Sequence, residues 1–191
     1  MIKYPEPGRV KTRLAGDIGA EKAALICRKM TERVMKQTIP VAGEYDRFVF
    51  YDPQERVRDF VSWLPHEKFV AQTGSDVGER MDNAIRYLLE NGAKKAVITG
   101  ADIPELTSGI VIQAFEMLDH ADVVVGPALD GGYYLIGMKS PMPELFRNIP
   151  WSTGDVFQKT VRTLKHSGKS YGVLPVLSDL DTIEDLGNIN K

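Results

Sequence analysis

The sequence is poor in the residues from which many sites are built. Its 191 residues include one cysteine and three histidines. A single thiol, Cys27, excludes an internal disulfide and a multi-cysteine zinc site. Its simplest role is that of a small buried hydrophobe in a helix. His66, His120 and His166 are scattered without metal-ligand spacing and read as surface residues. No apolar run approaches the roughly 20 residues that cross a bilayer. Charge and proline arrive within the first residues, unlike a signal peptide, so cytoplasm is the expected location. Net charge is also lacking, at only −2. That speaks against broad attraction to nucleic acid or to an anionic membrane. Any recognition of an anion must therefore be local.

What is present is alternation. Hydrophobic residues make up 43% of the chain and charged residues 26%, which fits one domain over 1–191. There is no internal repeat. Ala20 to Thr38 has apolar residues at Ala23, Ile26, Cys27, Met30 and Val34, a helical spacing. The same reading predicts helices over Val57–Leu64, Glu79–Asn91, Thr107–Asp119 and Gly154–His166. Asp76 and Glu79 are spaced as a capping box for the second of these, and Gly92 stops it. Strands are predicted over Arg47–Tyr51, Lys68–Gln72, Lys95–Thr99, Asp122–Gly126, Tyr133–Met138 and Tyr171–Leu177. Pro175 marks the last as an edge or bulged strand. The apolar runs KAVIT and DVVVG predict central strands buried on both faces. Such alternation implies a three-layer α/β/α fold with a mixed, mostly parallel sheet. Polar chemistry then gathers beyond the carboxyl ends of the strands.

Three places there carry candidate chemistry. Asp102 follows KAVIT by three residues. It is either a cap for the next helix or a hard oxygen ligand for Mg²⁺ or Mn²⁺. Asp130-Gly131-Gly132 follows DVVVG. It is either a hairpin turn or a place where a ligand approaches bare backbone. "LSDLDTIEDL", Leu177 to Leu186, holds Asp179, Asp181, Glu184 and Asp185. It reads as a solvated turn with Asp181 or Thr182 capping a helix, or as the source of a second metal ligand, Asp181. A fourth place is the opening "PEPGRVKTRL". Gly8 to Thr12 is not a Walker A loop, because Val10 stands where glycine must precede Lys11. A glycine-containing loop with Lys11 and Arg13 near a helix N-terminus still suits a diphosphate. A solvated tail is the alternative, and Pro5 and Pro7 argue against it by stiffening the loop.

"KYPEPGRVKTRLA", "GSDVGERM", "TGADIPEL", "VVVGPALDGGYYLIG", "PWST" and "LSDLDTIEDL", in this order, resemble a bacterial family of glycosyltransferase-A-type (GT-A) proteins. That family belongs to the nucleotide-diphospho-sugar transferase superfamily, with a Rossmann-like fold, and some members are linked to arsenosugar biosynthesis. Weaker likeness extends to molybdenum-cofactor nucleotidyltransferases and 2-phospholactate guanylyltransferase. The resemblance implies that Lys3, Gly8, Lys11 and Arg13 lie over a nucleotide diphosphate. It implies a metal on Asp102, approached by Asp181. It implies Gln72, Asp76 and Arg80 beside the base or sugar. Asp130, Gly131, Gly132, Tyr133 and Trp151 would line a sugar or acceptor pocket, although packing is the simpler role for Trp151.

The chain departs from the family in two ways. Only Met1 and Ile2 precede Lys3, so the first strand is expected to be very short or missing. Gly100 stands two residues before Asp102, so there is no full D-x-D. The resemblance implies a metal-dependent glycosyltransferase that uses a nucleotide sugar and a small-molecule acceptor, with Asp130 as candidate base. A nucleotidyltransferase releasing pyrophosphate is the alternative on the same fold. A non-catalytic nucleotide-sugar-binding protein is the alternative of another class.

Overall fold

Strands and helices alternate along the chain as the hydrophobic periods require. The computed structural model describes residues 1–183 and 185; Glu184 and Leu186 of the acidic segment lie outside the described residues. Two units divide the chain. The first comprises Met1–Ala71, Gly100–Ser108 and the segment from Ser178; the second comprises Gln72–Thr99 and Gly109–Leu177.

The first unit contains β1 (Ile2–Lys3), α1 (Thr12–Ile18), α2 (Ala20–Gln37), β2 (Phe48–Asp52), α3 (Val57–Trp63) and β3 (Lys68–Ala71). The three strands form one parallel sheet in the order β1-β2-β3. The short first strand is present as two residues paired with Tyr51 and Asp52. Ile2, Val49, Tyr51 and Phe60 bury against one another, with Tyr4, Trp63 and Phe69 packed around them. The aromatic and β-branched residues of "RFVFY" thus have a flat, apolar partner surface, which is what strands of this composition need. A second cluster joins Leu14 of α1 and Ala23 and Met30 of α2 to Leu180. It anchors the C-terminal segment against the first helices.

Helix α1 was not among the predicted elements. Its seven residues include Gly16 and a single buried apolar side chain, Leu14. With Gly16 inside it, the segment carries no readable period, unlike the equally short α3, where Val57, Phe60, Val61 and Leu64 recur at helical spacing.

The second unit contains α4 (Val77–Glu90), β4 (Ala96–Thr99), α5 (Ser108–His120, beginning on the last residue of a first-unit segment), β5 (Val123–Pro127), β6 (Tyr133–Met138), α6 (Val156–His166) and β7 (Tyr171–Val173). Its sheet has the order β4-β6-β5-β7, with β6 antiparallel to both neighbours and β7 parallel to β5. Every residue of β5 is buried, as expected for DVVVG. KAVIT differs from expectation: β4 lies at an end of its sheet, because β6 returns between β4 and β5. The last strand is shorter than predicted. Pro175 has no N–H to donate to a ladder. The pairing ends at Val173 and resumes as one isolated bridge between Ala128 and Leu177.

The mixed α/β character, with a wholly parallel sheet in one unit and a mixed sheet in the other, matches the predicted fold class. Among the described residues, no helix is long and apolar enough to cross a membrane.

Candidate functional site

The opening loop is held in place. Arg9 N donates to Glu6 O at 3.0 Å, closing a turn. The Glu6 carboxylate accepts from Arg56 at 3.2 Å, and the Arg56 guanidinium lies 4.9 Å from the centre of the Tyr4 ring. Val10 and Leu14 are buried on either side of Lys11. A solvated tail would show none of this.

Lys11 then does something unusual for a non-glycine residue. As N-cap of α1 it takes left-handed backbone angles, φ 46° and ψ 49°. Such a conformation costs roughly 1–3 kcal/mol and persists only where surroundings impose it. Here the surroundings are two carboxylates. Lys11 Nζ donates to Asp102 Oδ2 at 3.0 Å and to Asp181 Oδ1 at 2.5 Å. The Lys11 side chain is 8% exposed, whereas Asp102 and Asp181 are 42% and 35% exposed. Burial works against the ammonium charge, but the two carboxylates outweigh it and hold Lys11 above the usual lysine range. Arg13, 64% exposed, reaches to 3.9 Å from Asp181 Oδ2. At that distance and exposure it is a loose surface pair.

The two aspartates arrive from distant parts of the chain and are tied together by backbone. Leu180 N donates to Asp102 O at 3.1 Å. The Asp102 side chain turns to Lys11. The glycine where a D-x-D would begin has a local reason. A Cβ at position 100 would sit 2.8 Å from Asp102 Oδ1, pressing on the carboxylate that Lys11 uses.

Asp181 is positioned by Asp185, which the sequence reading passed over as an individual. The Asp185 carboxylate accepts from the Asp181 and Thr182 amides at 2.9 and 2.7 Å and from the Thr182 hydroxyl at 2.9 Å. Burial opposes its charge, but these donors prevail and hold its carboxyl below the usual range. The T-x-x-D spacing of Thr182 and Asp185 was the available signal.

Lys11, Arg13, Asp102 and Asp181 are therefore brought together within the first unit. Lys3 is exposed on β1 and Gly8 lies exposed in the loop turn. Burial also pushes the Cys27 thiol up, against the opposing charge of Lys11. That suits an inert thiol.

A separate group of candidates lies within the second unit. Asp76 caps α4, its Oδ1 accepting from Glu79 N at 2.9 Å, while Glu79 accepts from the Ser75 amide and hydroxyl. Half of the capping box read from the sequence is thus formed: Asp76 caps the Glu79 amide, but Glu79 returns to Ser75, one residue before the cap. Arg80 Nε donates to Gly74 O at 3.2 Å, holding the turn before the helix. Gln72 is buried. Trp151 lies so close to α4 that a Cβ on Gly78 would fall 2.4 Å from its ring. Tyr133 meets Trp151 edge-on, with ring centres 6.3 Å apart. Among the described residues the buried Tyr133 hydroxyl has no hydrogen-bond partner, and burial pushes it well above the ordinary tyrosine range.

The Asp130 turn is the hairpin that D-G signals, joining β5 to antiparallel β6. Asp130 Oδ1 accepts from Gly132 N at 2.8 Å. Gly131, at φ 86°, approaches the residue just after "PWST" so closely that a Cβ would lie 2.1 Å from Gly154 O. The close approach to bare backbone is real, and the chain itself makes it.

The carboxylate geometry can be tested against a divalent ion. Among the described residues, no three histidine, cysteine, aspartate or glutamate side chains gather as a metal cage. Mg²⁺ and Mn²⁺ do not need one; they take one or two carboxylates and substrate phosphates. Asp102 and Asp181 both reach one point, the position of Lys11 Nζ. They fit such an ion.

The family model described as "Uncharacterized protein conserved in bacteria (DUF2064)" matches residues 35–153. The chain belongs to this family. A solved structure from Desulfovibrio desulfuricans G20, described as a "putative nucleotide-diphospho-sugar transferase", shares 37% identity with it. The TM-score is 0.92, over 98% of this chain and 83% of that one. CMP:2-keto-3-deoxy-manno-octonic acid synthetase, complexed with CTP, is 11% identical with TM-score 0.60, over 98% of this chain and 93% of that one. Rv0371c from Mycobacterium tuberculosis H37Rv, in complex with manganese, is 17% identical with TM-score 0.51, over 85% and 84%. None of the curated proteins matches. The DUF2064 chain thus has the nucleotide-diphospho-sugar transferase fold. At 11% and 17% identity the last two relatives share that fold alone.

Proposed function

We propose that the chain is a transferase that grips the diphosphate of a nucleotide sugar and passes the sugar to a small-molecule acceptor. The observation that carries this is the convergence of Lys11 and Arg13 with Asp102 and Asp181 in one unit. Cations and carboxylates together suit a polyphosphate shared with a divalent ion. Asp102 and Asp181 are the residues that would hold Mg²⁺ or Mn²⁺; the manganese complex of the fold relative Rv0371c supports this. When bound, such an ion supplies positive charge against the departing diphosphate.

The chain's own residues supply the rest. The exposed guanidinium of Arg13 offers two parallel N–H donors to a phosphate. Lys11 adds a point charge. Both count most if they meet charge that grows as the bond breaks. Asp185 keeps Asp181 aimed by holding its amide. In the second unit, Gln72, Asp76 and Arg80 are proposed to recognise the base or sugar. Gly131, Gly132, Tyr133 and Trp151 are proposed to recognise the sugar or acceptor. Asp130, whose Oδ1 serves its own turn, is the proposed base.

The test is calorimetry of a panel of nucleotide sugars with Mn²⁺. Asp102→Ala is expected to abolish metal-dependent binding; unchanged affinity removes Asp102 from the site. A nucleotidyltransferase is the second reading, supported by the CTP complex of a fold relative. Product analysis separates the two: free nucleoside diphosphate supports the first, and pyrophosphate from a nucleoside triphosphate the second. Turnover of either kind excludes a purely binding protein.

A further inference from the structure

We propose that Lys11 and a divalent cation are alternative occupants of one seat, so that Lys11 keeps the metal out until a polyphosphate draws it away. The inference rests on the reading of Asp102 and Asp181 as metal ligands. It adds that the chain itself supplies a cation to both carboxylates.

The geometry is specific. Lys11 Nζ stands 3.0 Å from Asp102 Oδ2 and 2.5 Å from Asp181 Oδ1. One ammonium bridges these two oxygens. A second cation would need the same lone pairs at the same place, and like charges at such range repel steeply in a partly buried setting. The lysine is not a passing surface contact. Its side chain is far less exposed than either partner's, and its backbone is held in the left-handed region that lysine rarely adopts. The carboxylates, by contrast, remain one-third to two-fifths exposed, so an ion can reach them.

The arrangement predicts coupling. A ligand that attracts the ammonium through phosphate oxygens vacates the seat and so raises metal affinity. By linkage the metal raises the affinity for that ligand by the same factor. Arg13, already exposed beside Asp181, is placed to begin that recruitment without leaving a buried partner. Metal alone would then bind weakly to the resting protein, which would protect it from adventitious loading.

The experiment titrates Mn²⁺ alone into the full chain, with free ion followed by electron paramagnetic resonance. Three proteins are compared: wild type, Lys11→Met and Lys11→Met/Asp102→Asn. Lys11→Met is expected to bind Mn²⁺ at least about tenfold more tightly than wild type, and the double variant to lose that gain. Removing the lysine leaves two carboxylates facing one another. Lys11→Met should therefore melt below wild type without metal and regain more of its melting temperature on adding Mn²⁺ than wild type does. Lys11→Gln repeats both measurements should the methionine variant not fold. Equal Mn²⁺ affinity in wild type and Lys11→Met, lost with Asp102→Asn, would overturn the exchange while leaving Asp102 a metal ligand. Absence of Mn²⁺ binding in every variant would overturn both.

Discussion

A few residues in this chain hold positions that no other residue type could hold cheaply, and each has a measurable cost. Gly131 combines φ 86° with a backbone contact at 2.1 Å from where a Cβ would lie. Gly131→Ala must strain its backbone and push Gly154 away together. Loss of about 2–4 kcal/mol is expected in urea unfolding, from left-handed strain and overpacking combined. A change within ~0.5 kcal/mol, the range of neutral surface substitutions, would mean the turn yields freely. The sequence showed D-G-G and offered hairpin or ligand approach as its meaning. It could not show that the partner of the bare backbone is Gly154, more than twenty positions away. Asp102 is the complementary case. Its position past a strand was legible, with cap or ion ligand as its two readings. That its carboxylate meets Lys11, 91 positions earlier, was not.

At the scale of elements, the N-terminus of α4 tests how much of the sequence reading was mechanism. Asp76→Ala removes the acceptor for the Glu79 amide and should cost about 1 kcal/mol by thermal or urea unfolding. Glu79 carries a pH signature. The amide and hydroxyl of Ser75 hold its carboxyl below the ordinary glutamate range, with burial a lesser, opposing influence. A carboxyl lowered on folding stabilises the native state above its unfolded value, near 4.3. That contribution fades as the pH falls through the lower folded value. Wild type should therefore exceed Glu79→Gln in stability at pH 7, with the gap narrowing by pH 3. Most helices were legible because their apolar stripes run three turns or more. Helix α1 was not, since Gly16 interrupts it and Leu14 is its one buried apolar residue; the equally short α3 was legible from Val57, Phe60, Val61 and Leu64. The strand from Tyr171 broke early at a proline whose presence was noted but whose exact effect depended on the neighbouring β5 ladder.

For the whole molecule, the proposed function predicts a linkage between ligand and folding. A nucleotide sugar with Mn²⁺, present at about 100 times its dissociation constant, stabilises the folded state by roughly 2.7 kcal/mol. For a chain of this length that is a rise of about 5–10 °C in melting temperature. Asp102→Asn should abolish the metal-dependent part of the rise in a thermal-shift assay. A rise that is the same with and without Mn²⁺ would separate nucleotide binding from any metal. The 37% identical relative places the chain on a nucleotide-diphospho-sugar transferase fold; the choice between sugar and nucleotidyl transfer is the product assay's to make.

The sequence by itself determined what is periodic or local: where most helices and strands lie, that Asp76 caps α4, and that the Asp130 turn could be a hairpin. These follow from side-chain spacing and from backbone chemistry within a few residues. Only the tertiary structure decided which distant groups meet. It sent β6 back between β4 and β5, moved KAVIT to a sheet end, and closed one ammonium between Asp102 and Asp181. No local rule encodes such meetings, because they depend on how separated segments pack, and packing is settled by the burial of the whole core at once.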